Sequence, residues 1–195
     1  VTLTAGDPTV IALHGRTLLL LAGIPGAGKS TLLRTIGRSV APDRLTVLDS
    51  DPVRAWLRQR LPAGTPYRHY RPLVHLWHRL RIIRAVCSAA PTVVVHLPAT
   101  SAFTRTWLAL VGLLGRRHRL LLWLDVDQAD ARQGQRERGR VLAPGGFRRH
   151  VRRAAGFSAR LRAEQRTPGW RVLALDRASA ARGLALVEDD GPGIL

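Results

Sequence analysis

Gly23-Ile24-Pro25-Gly26-Ala27-Gly28-Lys29-Ser30 satisfies every defined position of the phosphate-cradling pattern Gly-x-x-x-x-Gly-Lys-Ser/Thr. Its flanks suit it. Leu18-Leu19-Leu20-Leu21-Ala22 is a short apolar run that reads as a buried strand, and residues 30–38 carry a helical pattern. Strand, glycine-rich loop and helix in that order are the context the pattern needs. The glycines let the backbone wrap closely round a polyphosphate, with amide N–H groups and the helix N-terminus facing the anion. The candidate nucleotide contacts here are Gly23, Pro25, Gly26, Ala27, Gly28, Lys29, Ser30 and Thr31. Lys29 reaches the β- and γ-phosphates as a point charge, and the Ser30 hydroxyl is placed to ligate Mg²⁺. Lys29 is also the sole lysine among 31 Lys and Arg residues. A chain that otherwise uses arginine has a chemical reason to keep a compact ammonium here, because a planar fork is too bulky to thread the loop.

The rest of the composition narrows the class. At 195 residues and 46% hydrophobic content the chain reads as one domain, 1–195, with a sizeable core. No apolar run reaches the ~18 residues of a membrane span, and the first residues lack the charged and apolar regions of a signal peptide. Cys87 is the one cysteine, which excludes an internal disulfide and fits a reducing compartment. The expectation is a cytoplasmic protein with no membrane partner. A net charge of +18 points to an anionic ligand. The preference for arginine spreads that charge widely, and the sparse aromatics, 5%, do not interleave with it as in a nucleic-acid stacking platform.

Downstream of the loop, residues 44–49 read as a second strand running into Asp49-Ser50-Asp51-Pro52 and an amphipathic helix over 53–61. Pro52 in the first helical turn makes Asp51 a natural N-cap. Asp51 also has a chemical reading. Ligands of an α/β sheet bind beyond the carboxyl ends of its strands, and a carboxylate there can take the proton of an acceptor hydroxyl or join Ser30 on Mg²⁺. Arg54, one turn on, can hold an acceptor's phosphate or carboxylate.

Gly23 to Thr31 followed by the strand-end Asp49-Ser50-Asp51-x-x-Arg54 resembles the P-loop kinases typified by the 5′-end polynucleotide kinases. Zeta-toxin-like, gluconate-kinase-like and antibiotic phosphotransferase enzymes are relatives. The resemblance implies that Asp51 is the general base and that Arg54 contacts the acceptor side.

Residues 67–89 read as a long helix whose apolar stripe, Leu73, Leu76, Leu80, Ile83 and Cys87, is expected to face the core. Its off-stripe Arg71 is an acceptor candidate, and His75 and His78 read as surface or acceptor-facing residues. Residues 92–96 form the third strand. Kinases of this kind often end it in an acid for Mg²⁺, and this chain has His96, leaving the ion to Ser30 with Asp51 or Asp49. Thr100 and Arg105 follow as acceptor candidates, and residues 107–114 read as an apolar core helix. A fourth strand, 119–125, ends in Asp125-Val126-Asp127, read chiefly as helix caps. Residues 131–140 carry Arg132, Arg136, Arg138 and Arg140, then a loop over 142–146 and a basic helix over 147–163. Arg-rich helix, Pro/Gly loop and helix predict a mobile lid over about 131–150. Arg138-Gly139-Arg140 before the loop resembles the lid of the same kinases, which implies that an arginine there, Arg138 first, stabilises the transferring phosphoryl group while Arg136 and Arg140 contact the nucleotide. Residues 170–175 read as a fifth strand, 178–187 as a last helix and 188–195 as a loose tail.

The expected fold is therefore α/β, a kinase-type P-loop NTPase with a five-stranded parallel sheet, helices on both faces and an Arg-rich lid. The expected activity is transfer of the γ-phosphoryl of ATP, with Mg²⁺, to a hydroxyl, first a polynucleotide 5′-hydroxyl. A small acceptor such as an antibiotic, nucleoside or sugar is the alternative, and a nucleotide-binding regulatory NTPase is a further one.

Overall fold

The computed structural model describes residues 9–137 and 144–189. Strand β1 (Thr9–His14) precedes β2 (Thr17–Gly23), the phosphate loop and helix α1 (Lys29–Ser39). Then come β3 (Leu45–Leu48), α2 (Ser50–Arg60), α3 (Tyr67–Cys87), β4 (Thr92–His96), α4 (Ala102–Leu114) and β5 (His118–Leu124). Helices α5 (Gln128–Arg136) and α6 (Pro144–Arg162), strand β6 (Arg171–Leu175), helix α7 (Arg177–Arg182) and strand β7 (Leu184–Asp189) complete the order.

Five strands form one parallel sheet in the order β3-β4-β2-β5-β6, as the alternation of strands and helices predicts. β2 is central and every residue of it is buried. That is why its sequence is an unbroken apolar run: a parallel strand covered on both faces has no polar side to show. Right-handed crossovers send α1 to one face and α3, α4 and α6 to the other. The core is the middle of this sheet, Leu18 to Leu21, Val93 to Val95 and Leu121 to Leu124, with Ile36 from α1 and Ile82, Leu108 and Phe157 from the helices opposite. Among the described residues no helix is long and apolar enough to cross a membrane.

The partner of β1 corrects the reading of the C-terminal region. Residues 178–187 are not one helix. Gly183, at φ 91°, ends α7, and Leu184–Asp189 is a strand that pairs in parallel with β1, Thr9 opposite Leu184 and His14 opposite Asp189. The tail expected from 188 thus begins inside β7, and residues 190–195, like residues 1–8, lie outside the described residues. Alanine and leucine suit a helix locally, but the alternation that buries Leu184 and Leu186 is a strand's. The basic helix α6 begins at Pro144 rather than after the glycines, since proline is favoured in a first helical turn.

A second correction concerns α3. The expected inward stripe faces out: Leu73, Leu76, Leu80, Ile83 and Cys87 are exposed. Tyr70, Val74, His78, Ile82 and Val86 face in. Tyr70 and Val74 join Val53 of α2 in a small separate core, while Ile82 and Val86 join the main one. Both faces carry apolar residues at helical spacing, so only packing partners decide between them. The apolar α4 is likewise split, with Leu108, Ala109 and Val111 buried but Leu110, Leu113 and Leu114 exposed.

Candidate functional site

The phosphate loop is held from three directions. The Gly23 N–H donates to the Pro98 carbonyl at 3.1 Å, and the Ala27 N–H donates to Ile24 at 3.2 Å. Gln135 Nε2 of α5 donates to the Pro25 carbonyl at 3.0 Å. Lys29 is buried, and its Nζ donates to the Gly23 and Ile24 carbonyls at 2.8 Å each. Gly26, at φ 95°, is obligatory twice over, because a Cβ there would lie 1.9 Å from the Ala131 carbonyl oxygen. Gly28 caps α1 at φ 91°, and a Cβ built on it meets nothing within 4 Å. The space beside Gly28 at the N-terminus of α1 is therefore open, where the helix end favours an anion. Ser30 and Thr31 stand in its first turn.

At the carboxyl ends of β3 and β4 the roles of two aspartates differ from expectation. Asp49, not Asp51, is the N-cap of α2: its Oδ1 accepts the Asp51 N–H at 3.0 Å. The cap belongs to the residue still in extended conformation, and the helix begins at Ser50. Asp51 is thereby released from capping and sits half-buried in the first turn. Asp49 Oδ2 lies 2.7 Å from Nδ1 of His96, the residue standing where an acid was expected. Burial pushes the Asp49 carboxyl up, but the bonds from His96 and the Asp51 amide outweigh it and hold the group below the ordinary carboxylate value. Arg81 Nη1 donates to the Asp49 carbonyl at 3.4 Å. His78, expected near the surface, is 2% exposed with neither ring nitrogen hydrogen-bonded. Burial first, then the Arg81 charge, pushes it down to about 4, so its ring is neutral.

The acceptor candidates divide. Thr100 Oγ1 lies 2.8 Å from Nδ1 of His150 on α6, a residue the sequence reading did not single out. Burial, then the charges of Lys29, Arg153, Arg149 and Arg71, favour neutral His150. Phosphate loop, α3 and α6 therefore converge on one imidazole. Arg71 is exposed and donates to His75 at 3.2 Å. Arg54 is exposed, its guanidinium 4.2 Å from the Tyr67 ring centroid. Arg105 is turned into the interior. Its Nη1 donates to the Ala99 carbonyl at 2.8 Å, its guanidinium stacks 3.8 Å from the Phe157 centroid, and burial pushes it down to about 10. It steadies Ala99, a non-glycine residue at φ 45°, and with it the turn that carries Thr100.

Both helices of the expected lid rest on the body. Ala131 and Gln135 of α5 and Phe147 and Phe157 of α6 are buried, and Trp123 Nε1 donates to Ser158 at 3.0 Å. Asp125 accepts from Ser158 and Arg162 and caps nothing, while Asp127 occupies the N-cap position of α5 without a side-chain cap bond. Arg136 is exposed at the end of α5, and Arg138 and Arg140 lie outside the described residues. Arg132 of the expected lid helix, together with Arg148, Arg149 and Arg152, which the sequence reading did not name, lines a cavity of about 570 Å³ between α5 and α6. The basic run in the sequence signals them as a group, but no spacing rule separates them from solvent-facing neighbours.

Residues 18–166, from the central strand to the end of the lid helices, match the AAA domain family AAA_33. The chain belongs to this family. No curated protein matches it. Among solved structures it resembles the tunicamycin resistance protein of Deinococcus radiodurans at 13% identity and a TM-score of 0.56, covering 86% of this chain and 91% of that one. It resembles a chain of the PezAT chromosomal toxin–antitoxin system of Streptococcus pneumoniae at 14% identity and a TM-score of 0.61, covering 90% and 72%. A candidate kinase of Chloroflexus aurantiacus aligns at 12% identity and a TM-score of 0.58, covering 85% and 87%. Together with the parallel sheet and the loop at the end of β2, these likenesses establish a kinase-type P-loop fold.

Proposed function

We propose that this protein is an ATP-dependent phosphotransferase that moves the γ-phosphoryl group to a hydroxyl of a small acceptor. One observation carries the reading: Asp49, bonded to His96, is the N-cap of α2, and Asp51 stands in the first turn of that helix, at the carboxyl end of the sheet that bears the phosphate loop. A switch that only binds and hydrolyses nucleotide needs no base for an acceptor hydroxyl.

The donor set suits Mg-ATP. The open N-terminus of α1 and the glycine backbone accept a polyphosphate. The Ser30 hydroxyl and the Asp51 carboxylate are hard oxygen donors of the kind Mg²⁺ takes. Mg²⁺ when bound would neutralise charge on the β- and γ-phosphates. Gly23 to Thr31 would hold the triphosphate, with Lys29 exchanging its carbonyl partners for phosphate oxygens. Asp51 would accept the proton of the acceptor hydroxyl as its oxygen attacks the γ-phosphorus and the bond to the β-phosphate oxygen breaks, releasing ADP. Arginines of α5 and α6, with Arg136, Arg138 and Arg140 as the lid candidates, would meet the charge on the transferring group. Arg54, Arg71 and Thr100, bonded to His150, would bind the acceptor.

A small acceptor is favoured over a nucleic-acid end because the aromatics of α2 and α3 stack on one another or on arginines and form no platform for bases. The polynucleotide 5′-hydroxyl is retained as a second reading on the net charge of +18. The test is transfer of labelled γ-phosphate from ATP with Mg²⁺ to hydroxylated antibiotics, nucleosides, sugars and 5′-hydroxyl oligonucleotides. Asp51→Asn should lower turnover about 10²–10⁴-fold while ATP binding persists. Hydrolysis of ATP without a phosphorylated product from any acceptor would identify a regulatory NTPase instead.

A further inference from the structure

The outward face of α2, α3 and α4 is apolar where a monomer's surface should be polar. On α3, Leu73, Leu76, Trp77 and Leu80 are all more than half exposed, and on α4 Phe103 and Leu114 are 70% and 80% exposed. Leu110 and Leu113 of α4 are exposed as well, so each set recurs at spacings of three, four and seven and each helix carries a second stripe opposite its buried one. The stripes adjoin. Trp56 of α2 stacks on Trp77 at 5.9 Å, and Arg79 of α3 lies 5.7 Å from the Trp107 ring of α4. Scattered exposed leucines are ordinary, but a contiguous multi-helix patch marks an interaction surface.

Charge selects what covers it. Neither α3 nor α4 contains an Asp or Glu, while α3 carries five arginines, and α2 adds Arg54, Arg58 and Arg60 against one carboxylate. A second copy laid on this face would bring guanidinium against guanidinium with no carboxylate on α3 or α4 to meet it. The occupant must be apolar and anionic. Its shape follows from exposure. Side chains that line a groove for a partner helix are largely enclosed, whereas these stand proud of the surface. Protruding Leu, Phe and Trp rimmed by arginine suit a fluid boundary that closes round each side chain while the guanidiniums reach phosphate above it.

We propose that this face seats the protein on an anionic lipid bilayer surface, with Leu73, Leu76, Trp77, Leu80, Phe103 and Leu114 entering the boundary between headgroups and acyl chains. The expectation of no membrane partner rested on the lack of a spanning run, and a helix lying in the interface needs none. The seat does not depend on the phosphotransferase reading.

The test is co-sedimentation of the full chain with vesicles of phosphatidylcholine alone and of phosphatidylcholine mixed with phosphatidylglycerol. Binding is expected to the mixed vesicles, with a blue shift of tryptophan fluorescence and weakening at high salt. Leu76→Ser/Leu80→Ser keeps the net charge and replaces side chains outside the buried core, so its circular dichroism and melting should match the parent while vesicle affinity falls roughly tenfold or more. No binding to mixed vesicles overturns the proposal. So does unchanged binding of the serine variant, which would assign the attraction to bulk charge. A concentration-dependent dimer in light scattering that the serine variant loses would overturn it in favour of a self-association face.

Discussion

Both carboxylate oxygens of Asp49 are committed, one to the first turn of α2 and one to His96 on the neighbouring strand. Removing the imidazole by His96→Ala strands a half-buried carboxylate, which should cost about 1–3 kcal/mol and loosen Asp51. Urea denaturation reads the first effect and acceptor turnover at saturating ATP the second. His78 makes a separate prediction with a definite sign. Its folded value is about 4 against 6.5 for the free imidazole, so between those values the unfolded chain holds a proton that the fold does not. Stability should therefore fall as pH drops from about 6.5 to about 4, by ~3 kcal/mol. Asp49 adds to the loss only at lower pH, below the ordinary carboxylate value of 3.8. His78→Leu keeps the burial and removes the titration, so urea midpoints at pH 5 and pH 7 should draw together. The phosphate loop was legible residue by residue because its signal is local. The Asp49–His96 pair spans 47 positions, and no local spacing rule couples them. Arg105 misled because a polar side chain in a helix says nothing of which way the helix is turned.

At the scale of elements, α5 and the phosphate loop touch backbone to backbone. A Cβ on Gly134 would lie 2.5 Å from the Gly26 carbonyl oxygen. Gly134→Ala should therefore push α5 off the loop, cost ~1–3 kcal/mol by overpacking, and weaken ATP binding; calorimetric titration beside a melting curve separates the two. This contact could not be read from the chain, since a glycine in a helix signals weak propensity before it signals close approach. Strand 92–96 was legible because a buried parallel strand is a short apolar run between turns. The face of α3 was not. Its outward leucines form as good a stripe as its inward Tyr70, Val74, Ile82 and Val86, and periodicity is blind to which side the sheet lies on.

For the molecule as a whole, the positive charge spread over the chain makes ionic strength a discriminator. If the acceptor is small, its KM should change little with salt, whereas a polynucleotide acceptor would lose affinity steeply as counterions return; initial rates across a salt series decide. The layered α/β architecture was legible from the alternation of strands and helices alone, while the second sheet was not, since β1 and β7 are each six unremarkable residues whose meaning lies in the other. That pairing has a consequence for biosynthesis. Thr9 sits opposite Leu184, so β1 leaves the ribosome early and finds its partner only after nearly every other described element has emerged. Until then its inward residues Ile11 and Leu13 are bare on an open strand edge. Nascent chains stalled before residue 184 should bind holdase chaperones and be cut by protease near β1, and those extended past β7 should not.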